Sequence, residues 1–373
     1  MQKKSVTLLI SSLGGGGAER VCATIASALA QRGWDVTLLT LNDHKMTLAA
    51  DIDEKVKLKN LGVDKARSAV FPLVRYLKQF DVERLVVFSY ELTPIAAIAR
   101  YFMHSPPVLI ARNINSITRK LATEKSLWLK SVVLPLVGFF YARVDLVINQ
   151  CEAMRADLLT YKPSLERNST FIYNPVNEGI RQQGEAILSS DVQRDNYILC
   201  VGRLVEQKAL HHAINAFALV VKNHPSLRLK IIGTGPLESE LKDLATQLNV
   251  IANVDFEGFK SNVSDYYTKA QLTLLSSAYE GFPNVLLESL ALGTPVVSFD
   301  CQSGPREIIS SSDAGELVTQ GDVEELAAAI QKQLSKKVSR DRVYATVSPF
   351  TISNVVHQWE SVLHSIVNGR TNA

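Results

Sequence analysis

The sequence has little of what marks secreted, metal-stabilised or membrane-spanning proteins. Its four cysteines are far apart and include no CxxC pair, so neither a disulfide framework nor a structural zinc site is expected. No stretch of about 18 uncharged apolar residues is present, which argues against a membrane span. The apolar run Val6–Ile10 is too short for a signal peptide, and no small-residue cleavage site follows it. We therefore expect a protein of the reducing cytosol.

A large excess of one charge is also absent, since the formal net charge is only +3. The content of 46% apolar and 21% charged residues is typical of globular domains, and 373 residues suggest two of them. The charge is uneven, however. Residues 1–176 carry 23 Lys and Arg against 15 Asp and Glu, whereas residues 177–373 carry 17 against 22. The basic half suits an anionic partner, and no nucleic-acid partner is predicted.

The second half of the chain alternates short apolar runs with helical patterns. The predicted strands are Tyr197–Val201, Leu227–Ile232, Val254–Phe256, Leu272–Leu275, Pro295–Phe299 and Glu316–Val318. The predicted helices are Ala209–Lys222, Leu237–Leu248, Pro283–Leu292 and Val323–Leu334. This alternation indicates a parallel sheet with helices on both faces.

The first half of the chain shows the same alternation of apolar runs and helical patterns. The predicted strands are Val6–Ile10, Val36–Leu41, Arg84–Phe88, Val108–Ala111, Leu146–Asn149 and Thr170–Tyr173. The predicted helices are Ala18–Arg32, Ser68–Gln79, Pro94–Met103 and Cys151–Leu159.

These patterns predict an α/β protein with two doubly wound, Rossmann-like domains that face a cleft. We expect an N-terminal domain of residues 1–177 and a C-terminal domain of residues 178–350, and we interpret the polar stretch Asn177–Asn196 as the linker. An amphipathic helix at residues 352–368 follows Pro349 and can join either domain. Ligands of open parallel sheets bind beyond the carboxyl ends of the strands, so the candidate sites are the loops that follow strands.

A glycine-rich loop follows the first predicted strand and opens a helix. It reads Gly14-Gly15-Gly16-Gly17-Ala18-Glu19-Arg20. Glycines let backbone amides approach a ligand, and a helix N-terminus adds N–H groups and partial positive charge. A dinucleotide fingerprint fails here, because its third glycine would fall on Glu19. The loop is a candidate ligand site, with a simple tight turn as the alternative.

Two cations lie in the loop after Tyr197–Val201. This loop reads Gly202-Arg203-Leu204-Val205-Glu206-Gln207-Lys208. Arg203 offers a planar fork of donors and Lys208 a point charge. Two cations at the mouth of one loop suit a diphosphate, and they would stabilise charge that develops on a departing phosphate. The alternative is a pair of solvated surface cations.

Three shorter loops also follow strands and contain glycine. They are Gly233-Thr234-Gly235-Pro236, Glu257-Gly258-Phe259-Lys260 and Ser303-Gly304-Pro305-Arg306-Glu307. The first two are candidates for holding a base and a ribose through backbone contacts, and the third could add amides to the same site. Each by itself is also typical of an ordinary strand–helix turn.

The most specific loop follows Leu272–Leu275. It reads Glu280-Gly281-Phe282-Pro283-Asn284-Val285-Leu286-Leu287-Glu288. Pro283 favours a helix start, and a carboxylate on either side of it can accept two hydroxyl hydrogen bonds, which suits a sugar or ribose diol. Glu288 lies among leucines, where an acid is costly without a partner. The alternative is a solvated acid at position 288 and a charge at position 280 that pairs with the helix dipole.

Taken together, these loops resemble the large family 4 of retaining glycosyltransferases, which have the two-domain GT-B architecture. The resemblance extends over nearly the whole chain and depends on motifs that occur in order, each after a strand. They are Gly16-Gly17-Ala18-Glu19-Arg20, Tyr173-Asn174-Pro175-Val176, Gly202-Arg203 with Lys208, Gly233-Thr234-Gly235-Pro236, Glu280 with Glu288, and Gly304-Pro305-Arg306-Glu307. The first of these also resembles the GGAER-type signature of bacterial surface-glycan transferases.

The resemblance implies a hexosyltransferase that uses a nucleotide-diphosphate donor, most often a UDP-sugar. It would move a hexose or N-acetylhexosamine to a glycan acceptor, lipid-linked as an undecaprenyl-diphosphate oligosaccharide or as a lipopolysaccharide, O-antigen or capsule precursor. The leaving phosphate would take the acceptor proton, so that attack occurs on the same face and the anomeric configuration is kept. No metal or other cofactor is required.

The resemblance also implies roles for residues. Arg203, Lys208 and Glu280 would be catalytic. Donor contacts would come from Gly16, Gly17, Gly202, Gly235, Phe259, Gly281, Phe282, Pro283, Asn284 and Glu288. Glu19 would lie on the acceptor side. Many relatives carry a histidine near the end of the fourth strand of the N-terminal domain, where this chain has Arg112-Asn113, and we hypothesise that these two contact donor or acceptor.

Other interpretations compete with this one. A nucleotide-sugar epimerase or a catalytically silent sugar-nucleotide binder can have the same architecture, while the failed fingerprint argues against a nicotinamide oxidoreductase. Asp51-Ile52-Asp53 looks like a metal-binding DxD motif, but no strand leads into it. Residues 112–143 hold six basic residues and one acid around an apolar run. They are either a buried helix or a surface that docks on an anionic leaflet, on the inner face of the cell membrane.

Overall fold

The computed structural model of the protein describes residues 4–114, 131, 134–190 and 192–371. The chain divides into two compact units. One consists of Met1–Pro175 with Ile352–Ala373, and the other of Val176–Thr351. The helix that follows Pro349 thus belongs with the first unit.

A seven-stranded sheet forms the centre of the first unit. Its strands are β1 (Ser5–Leu9), β2 (Asp35–Thr40), β3 (Lys57–Asn60), β4 (Arg84–Val87), β5 (Val108–Arg112), β6 (Leu146–Asn149) and β7 (Ser169–Phe171). They pair in the order β3-β2-β1-β4-β5-β6-β7, and every pairing is parallel. The edge strand β3 was not predicted, because all four of its residues are exposed and it has no apolar run.

The second unit has a six-stranded sheet. Its strands are β8 (Tyr197–Val201), β9 (Arg228–Ile232), β10 (Val254–Gly258), β11 (Leu272–Leu275), β12 (Val296–Phe299) and β13 (Gly315–Val318). The order is β10-β9-β8-β11-β12-β13, again with parallel pairings throughout. The prediction of two doubly wound, Rossmann-like sheets is therefore confirmed.

Helices connect the strands. In the first unit they are α1 (Gly17–Gln31), α2 (Val70–Phe80), α3 (Leu92–Tyr101), α4 (Leu134–Tyr141) and α5 (Glu152–Tyr161). In the second they are α6 (Glu178–Leu188), α7 (Leu210–Val220), α8 (Glu238–Gln247), α9 (Ser264–Lys269), α10 (Asn284–Ala291), α11 (Pro305–Ile308), α12 (Val323–Ser335) and α13 (Arg340–Ala345). The last helix, α14 (Ile352–Thr371), returns to the first unit. No helix among these residues is both long and apolar enough to cross a membrane.

Both faces of the first sheet are covered. On one face α1 and α14 bury Ile25, Leu29 and Trp359 in one apolar cluster. On the other face α2 and α3 bury Leu73 and Ala96 in a second cluster. Strands between two helical layers are apolar on both sides, which explains their continuous apolar runs.

The interpretation of Asn177–Asn196 as a linker is wrong, because α6 occupies most of it. Asn177 caps this helix, since its Oδ1 accepts hydrogen bonds from Gly179 N at 2.9 Å and Ile180 N at 3.3 Å. Gly184 packs against α10 so closely that a Cβ would lie 1.9 Å from the carbonyl oxygen of Ala291. The stretch looks like a linker because only one of its helical residues, this glycine, is buried.

Candidate functional site

The strand order of the second unit defines a switch point between β8 and β11. The chain runs outward from β8 to β10 and then returns to place β11 beside β8. Connections leave this pair in opposite directions, and ligands of such sheets bind in the crevice at the carboxyl ends of the strands. The two loops that begin there contain Lys208 and Glu280.

Lys208 and Glu280 form an ion pair at this switch point. The distance from Lys208 Nζ to Glu280 Oε1 is 2.6 Å, and the side chains are 17% and 8% exposed. The hydroxyl of Ser277 donates to the same oxygen, also at 2.6 Å. Two of the predicted catalytic residues, 72 positions apart in the sequence, are therefore in direct contact.

Backbone contacts hold the two loops together. The amide of Ala278 donates to the carbonyl of Gln207 at 2.9 Å, and Gln207 Nε2 donates to the carbonyl of Tyr279 at 3.1 Å. The hydroxyl of Ser276 donates to the carbonyl of Lys208 at 3.1 Å. These bonds fix the backbone on both sides of the ion pair, so its geometry does not depend on the two side chains alone.

The backbone directly after Lys208 is strained. Ala209 has a φ of +43°, in the left-handed region, and is buried. A residue with a Cβ in this conformation costs roughly 1–2 kcal/mol. Such strain persists where the surroundings hold it in place, and it concentrates at functional sites.

Glycines of the β9 loop allow it to pack against the β8 loop. Gly233 has a φ of +139°, and a Cβ on it would lie 1.9 Å from the carbonyl oxygen of Gly202. A Cβ on Gly235 would lie 2.3 Å from the carbonyl oxygen of Leu204. The glycine pattern of this loop is therefore required by loop packing, whatever else the backbone binds.

The loop after β12 supports the β11 loop in the same way. The hydroxyl of Ser303 donates to the carbonyl of Glu280 at 2.6 Å. Gly304 has a φ of +93°, and a Cβ on it would lie 2.5 Å from Pro283 Cδ and 2.9 Å from the carbonyl oxygen of Gly281. Four loops at the same edge of the sheet thus converge around the Lys208–Glu280 pair. Ser276 and Ser277 were not predicted to support the site, although they directly follow a strand.

Glu288, which lies among leucines, has a hydrogen-bond partner. It lies one turn into α10, is half-buried, and its Oε2 accepts a hydrogen bond from the Tyr267 hydroxyl at 3.2 Å. At the start of α10, Phe282 is buried and its ring centroid lies 5.7 Å from that of Phe350. The loop of residues 280–284 is thus anchored at several points.

Two predicted donor residues extend away from the protein. Arg203 is exposed in the same loop as Lys208. Phe259, just after β10, has 75% of its side chain exposed. A guanidinium and an aromatic ring with such exposure are available to a ligand without displacement of any packed group.

In the first unit, the Glu19 side chain forms hydrogen bonds that stabilise the glycine-rich loop. Its carboxylate accepts a hydrogen bond from Gly16 N at 2.6 Å and another from the Ser12 hydroxyl. This arrangement satisfies an amide at the start of α1. Of the loop glycines, only Gly15 needs a positive φ, at +101°. A role of Glu19 toward an acceptor stays a prediction.

Arg112 and Asn113 are buried, at 0% and 1% exposure. The Arg112 guanidinium donates to the carbonyl of Asn149 at 2.7 Å and to Asn174 Oδ1 at 2.9 Å, and its Cζ lies 5.5 Å from the ring centroid of Trp359. Burial lowers the pKa of Arg112 to about 9. The expected contact with donor or acceptor stays a prediction, and the described bonds give Arg112 a structural role within its unit.

The remaining candidates lie elsewhere. The Asp53 side chain stabilises a turn, since its carboxylate accepts hydrogen bonds from Lys55 N and from Gln31 Nε2, both at 2.9 Å. Asp51 lies in a short 3-10 helix. Most of the basic segment 112–143 falls outside the described residues, so neither of its two interpretations is tested.

Comparisons with known proteins identify the family of the chain. Residues 15–179 match the family model Glycosyltransferase Family 4, and residues 189–346 match the model Glycosyl transferases group 1. An uncharacterised glycosyltransferase of Haemophilus influenzae is 25% identical over 376 residues, which cover 96% of this chain and all of that protein.

Two further relatives are more informative. The Campylobacter jejuni N-acetylgalactosamine-N,N'-diacetylbacillosaminyl-diphospho-undecaprenol 4-alpha-N-acetylgalactosaminyltransferase is 30% identical over 344 residues, covering 85% of this chain and 86% of the relative. The solved structure of Anabaena HepE in complex with UDP superposes with a TM-score of 0.77 at 19% identity, covering 97% of this chain and 100% of that one. The fold is GT-B, and the chain belongs to the family 4 glycosyltransferases.

Proposed function

We propose that this glycosyltransferase moves a hexose or N-acetylhexosamine from a UDP-sugar to a lipid-linked glycan, with retention of the anomeric configuration. The observation that carries the proposal is the Lys208–Glu280 ion pair at the switch point of the second sheet. A cation and a carboxylate fixed side by side suit a donor that presents a diphosphate next to a sugar. The solved relative with UDP supports the choice of nucleotide.

Lys208 and Arg203 would bind the diphosphate. Lys208 is held by Glu280, and Arg203 is exposed in the same loop, so both cations are available to one anion at this edge of the sheet. Negative charge grows on the leaving diphosphate as the glycosidic bond breaks, and fixed cations stabilise that charge without reorganising. This provides charge neutralisation without a metal ion.

Glu280 and Glu288 would bind hydroxyl groups. Carboxylate oxygens are strong acceptors, and neighbouring hydroxyls of a sugar or a ribose can donate to one carboxylate. Glu280 lies beside the cation that binds the diphosphate, which suits the donor sugar. Glu288 is oriented by Tyr267 and suits the ribose. Phe259, with the loop that contains it, would meet the base.

The transfer step forms the new bond on the face from which the old one leaves. The acceptor hydroxyl attacks the anomeric carbon while the carbon–oxygen bond to the diphosphate breaks. A phosphate oxygen of the leaving group takes the hydroxyl proton, so the products are the glycoside and UDP. Lys208 and Arg203 act only through their charge.

The acceptor class is inferred from the relatives. The Campylobacter enzyme acts on a sugar carried by diphospho-undecaprenol, according to its name. Together with the GGAER-type signature, this supports assembly of a bacterial surface glycan such as O-antigen or capsule. The enzyme would work at the cytoplasmic face of the membrane, where such carriers present their glycans.

Thermal shift with nucleotides tests the donor site. UDP should raise the melting midpoint, because a ligand that binds only the folded state stabilises it by mass action. Glu288→Gln and Arg203→Met should abolish most of that rise, whereas Lys332→Met, which removes an exposed lysine of the same unit, should not. If no nucleotide raises the midpoint of the wild type, the proposal fails.

Product analysis separates the competing activities. Incubation with the most stabilising UDP-sugar and a lipid-linked glycan should give one new glycoside of retained configuration and an equal amount of UDP. An epimerised donor without UDP release would identify an epimerase, and binding without any product would identify a silent binder. Either result would overturn the proposed transfer.

A further inference from the structure

Four large aromatic side chains form an exposed strip on the first unit. They are Phe71 on α2, Tyr101 and Phe102 at the end of α3, and Phe139 on α4, with 72%, 70%, 48% and 47% of their surface exposed. We call them the aromatic strip. Contiguous exposed apolar surface of this kind usually marks an interaction site.

The strip is continuous across three helices. The ring centroids of Phe71 and Phe102 are 6.0 Å apart, which connects α2 to α3. Arg143 connects α3 to α4, since its Nε donates to the Tyr101 hydroxyl at 3.1 Å and its Cζ lies 3.3 Å from the ring centroid of Phe139. The inner faces of α2 and α3 are buried against the sheet, so the strip lies on the outer side of this helical layer.

Positive charge accompanies the aromatic rings. Arg75 and Lys78 are exposed and follow Phe71 on α2 at spacings of four and seven residues, so all three share one face of the helix. The sequences of α2, α3 and α4 contain no acidic residue. Of the acids that flank these helices, Asp145 is paired with Arg100 at 3.0 Å, Glu91 precedes α3 and accepts a hydrogen bond from the Tyr90 hydroxyl at 2.7 Å, and Asp81 follows the end of α2.

We propose that the aromatic strip, with Arg75, Lys78 and Arg143, docks this enzyme on an anionic lipid surface. Aromatic rings enter the boundary between headgroups and acyl chains, while Lys and Arg beside them contact anionic headgroups. A second copy of this chain fits less well. An isologous contact would bring the same positively charged surface of two copies together, with no acid on the three helices to pair with the cations. The surface consists of described residues of α2, α3 and α4 with Arg143, and it does not depend on the proposed donor or acceptor.

Vesicle flotation of the full-length protein at low salt tests the proposal. The wild type should float with vesicles of phosphatidylglycerol and phosphatidylcholine and stay at the bottom with phosphatidylcholine alone. Phe71→Ser/Phe102→Ser should weaken binding at least tenfold. Arg75→Gln/Lys78→Gln should weaken it roughly 25-fold, because each cation near an anionic surface contributes about fivefold.

Matched controls come from the second unit. Ile251→Ser replaces another exposed apolar side chain, and Lys222→Gln/Lys332→Gln removes two exposed lysines. Both controls should float like the wild type. The vesicles contain no glycan, so the acceptor site cannot account for binding, and UDP thermal shift in every variant reports on the donor site separately.

Three results would overturn the inference. The wild type could fail to float with anionic vesicles, or the strip variants could float as well as the controls do. The third is a wild-type dimer in sedimentation velocity that the strip substitutions convert to a monomer, which would assign the surface to a second copy. Flotation lost in the strip variants, with the UDP thermal shift and the oligomeric state unchanged, supports the lipid surface.

Discussion

The Lys208→Met substitution tests the central ion pair most directly. The change removes the charge and keeps much of the apolar stem, so Glu280 stays 8% exposed beside a neutral side chain. The carboxylate retains the hydrogen bond from Ser277 but loses the cation 2.6 Å away. An uncompensated buried charge should destabilise the second unit.

The size of the effect follows from the burial of the pair. Removing one partner of a buried ion pair costs about 3–5 kcal/mol. We expect about 2–3 kcal/mol, because Lys208 is 17% exposed and Ser277 still donates to Glu280. For a unit of this size each kcal/mol lowers the melting midpoint by roughly 2–4 °C, so the expected decrease is about 4–12 °C.

Differential scanning calorimetry measures the decrease, and a second substitution shows its cause. In Lys208→Met/Glu280→Gln no charge is left unpaired, so more than half of the lost stability should return. Lys332→Met is the control, since Lys332 is 65% exposed and its partner Glu316 keeps Lys336 as a second cation at 3.9 Å. Exposed pairs contribute about 1 kcal/mol or less. Equal midpoints for Lys208→Met and Lys332→Met would refute the reasoning.

Other substitutions test the loop packing, the buried arginine and the thiols. Gly233→Ala should lower the free energy of unfolding in urea by about 3 kcal/mol or more, because the new Cβ would overlap a carbonyl oxygen. Gly321→Ala is the control and should cost about 1 kcal/mol, because the space around Gly321 is open. Equal costs for the two substitutions would contradict this. Arg112→Met removes two buried hydrogen bonds from a charged donor, although the Asn149 carbonyl still accepts from Ile172 N at 3.0 Å, and should cost about 3 kcal/mol. An unchanged midpoint would argue against the structural role of Arg112. Burial raises the pKa of Cys200 and of Cys301 to about 12, so these thiols should react with a disulfide reagent at pH 8 only after unfolding. Because the pKa values of these two thiols are higher in the folded than in the unfolded protein, keeping them protonated contributes to the stability of the fold. This contribution is complete below about pH 8 and falls as the pH rises toward 12. A urea midpoint that does not fall between pH 7 and pH 10 would contradict this.

Most strands could be predicted because they are buried on both faces. Val296–Phe299 and Arg84–Val87 are buried at every residue, and such strands appear as apolar runs between turn residues. Strand β3 shows the limit of this signal. Its partner β2 supplies the hydrogen bonds, and none of its own side chains is buried, so its sequence carries no strand pattern.

Helix α6 shows a different limit. Its sequence is polar apart from a few residues, and the feature that packs it is the absence of a side chain at Gly184. A close approach of two helices through a glycine depends on what lies opposite. The carbonyl of Ala291 is more than a hundred residues away in the sequence, so no local pattern could indicate it.

The candidate site was predictable as a set of positions. Loops with glycine, proline and charged residues follow the strands, and this pattern identified Lys208, Glu280 and Glu288 as candidates. Their contacts were not predictable. Whether a charged side chain in a loop is solvated, paired or bound by a neighbour depends on which loops meet at the sheet edge.

Arg112 illustrates the same division. In the sequence it is a basic residue at the end of a strand, where a ligand contact is a reasonable hypothesis. In the structure it is enclosed by Asn149, Asn174 and Trp359, which come from three other parts of the chain. Burial of a guanidinium is tolerated only where such acceptors are assembled, and that assembly is a tertiary property.

The sequence by itself determined the class of fold, the number of sheets and the loops that are the candidates for chemistry. These features follow from local patterns, because burial on two faces and turn geometry constrain neighbouring residues. The tertiary structure alone decided that β8 and β11 are adjacent, that Lys208 meets Glu280 there, and that aromatic rings from three helices form one exposed strip. These features depend on the order in which strands pair, which brings together residues that no local pattern connects.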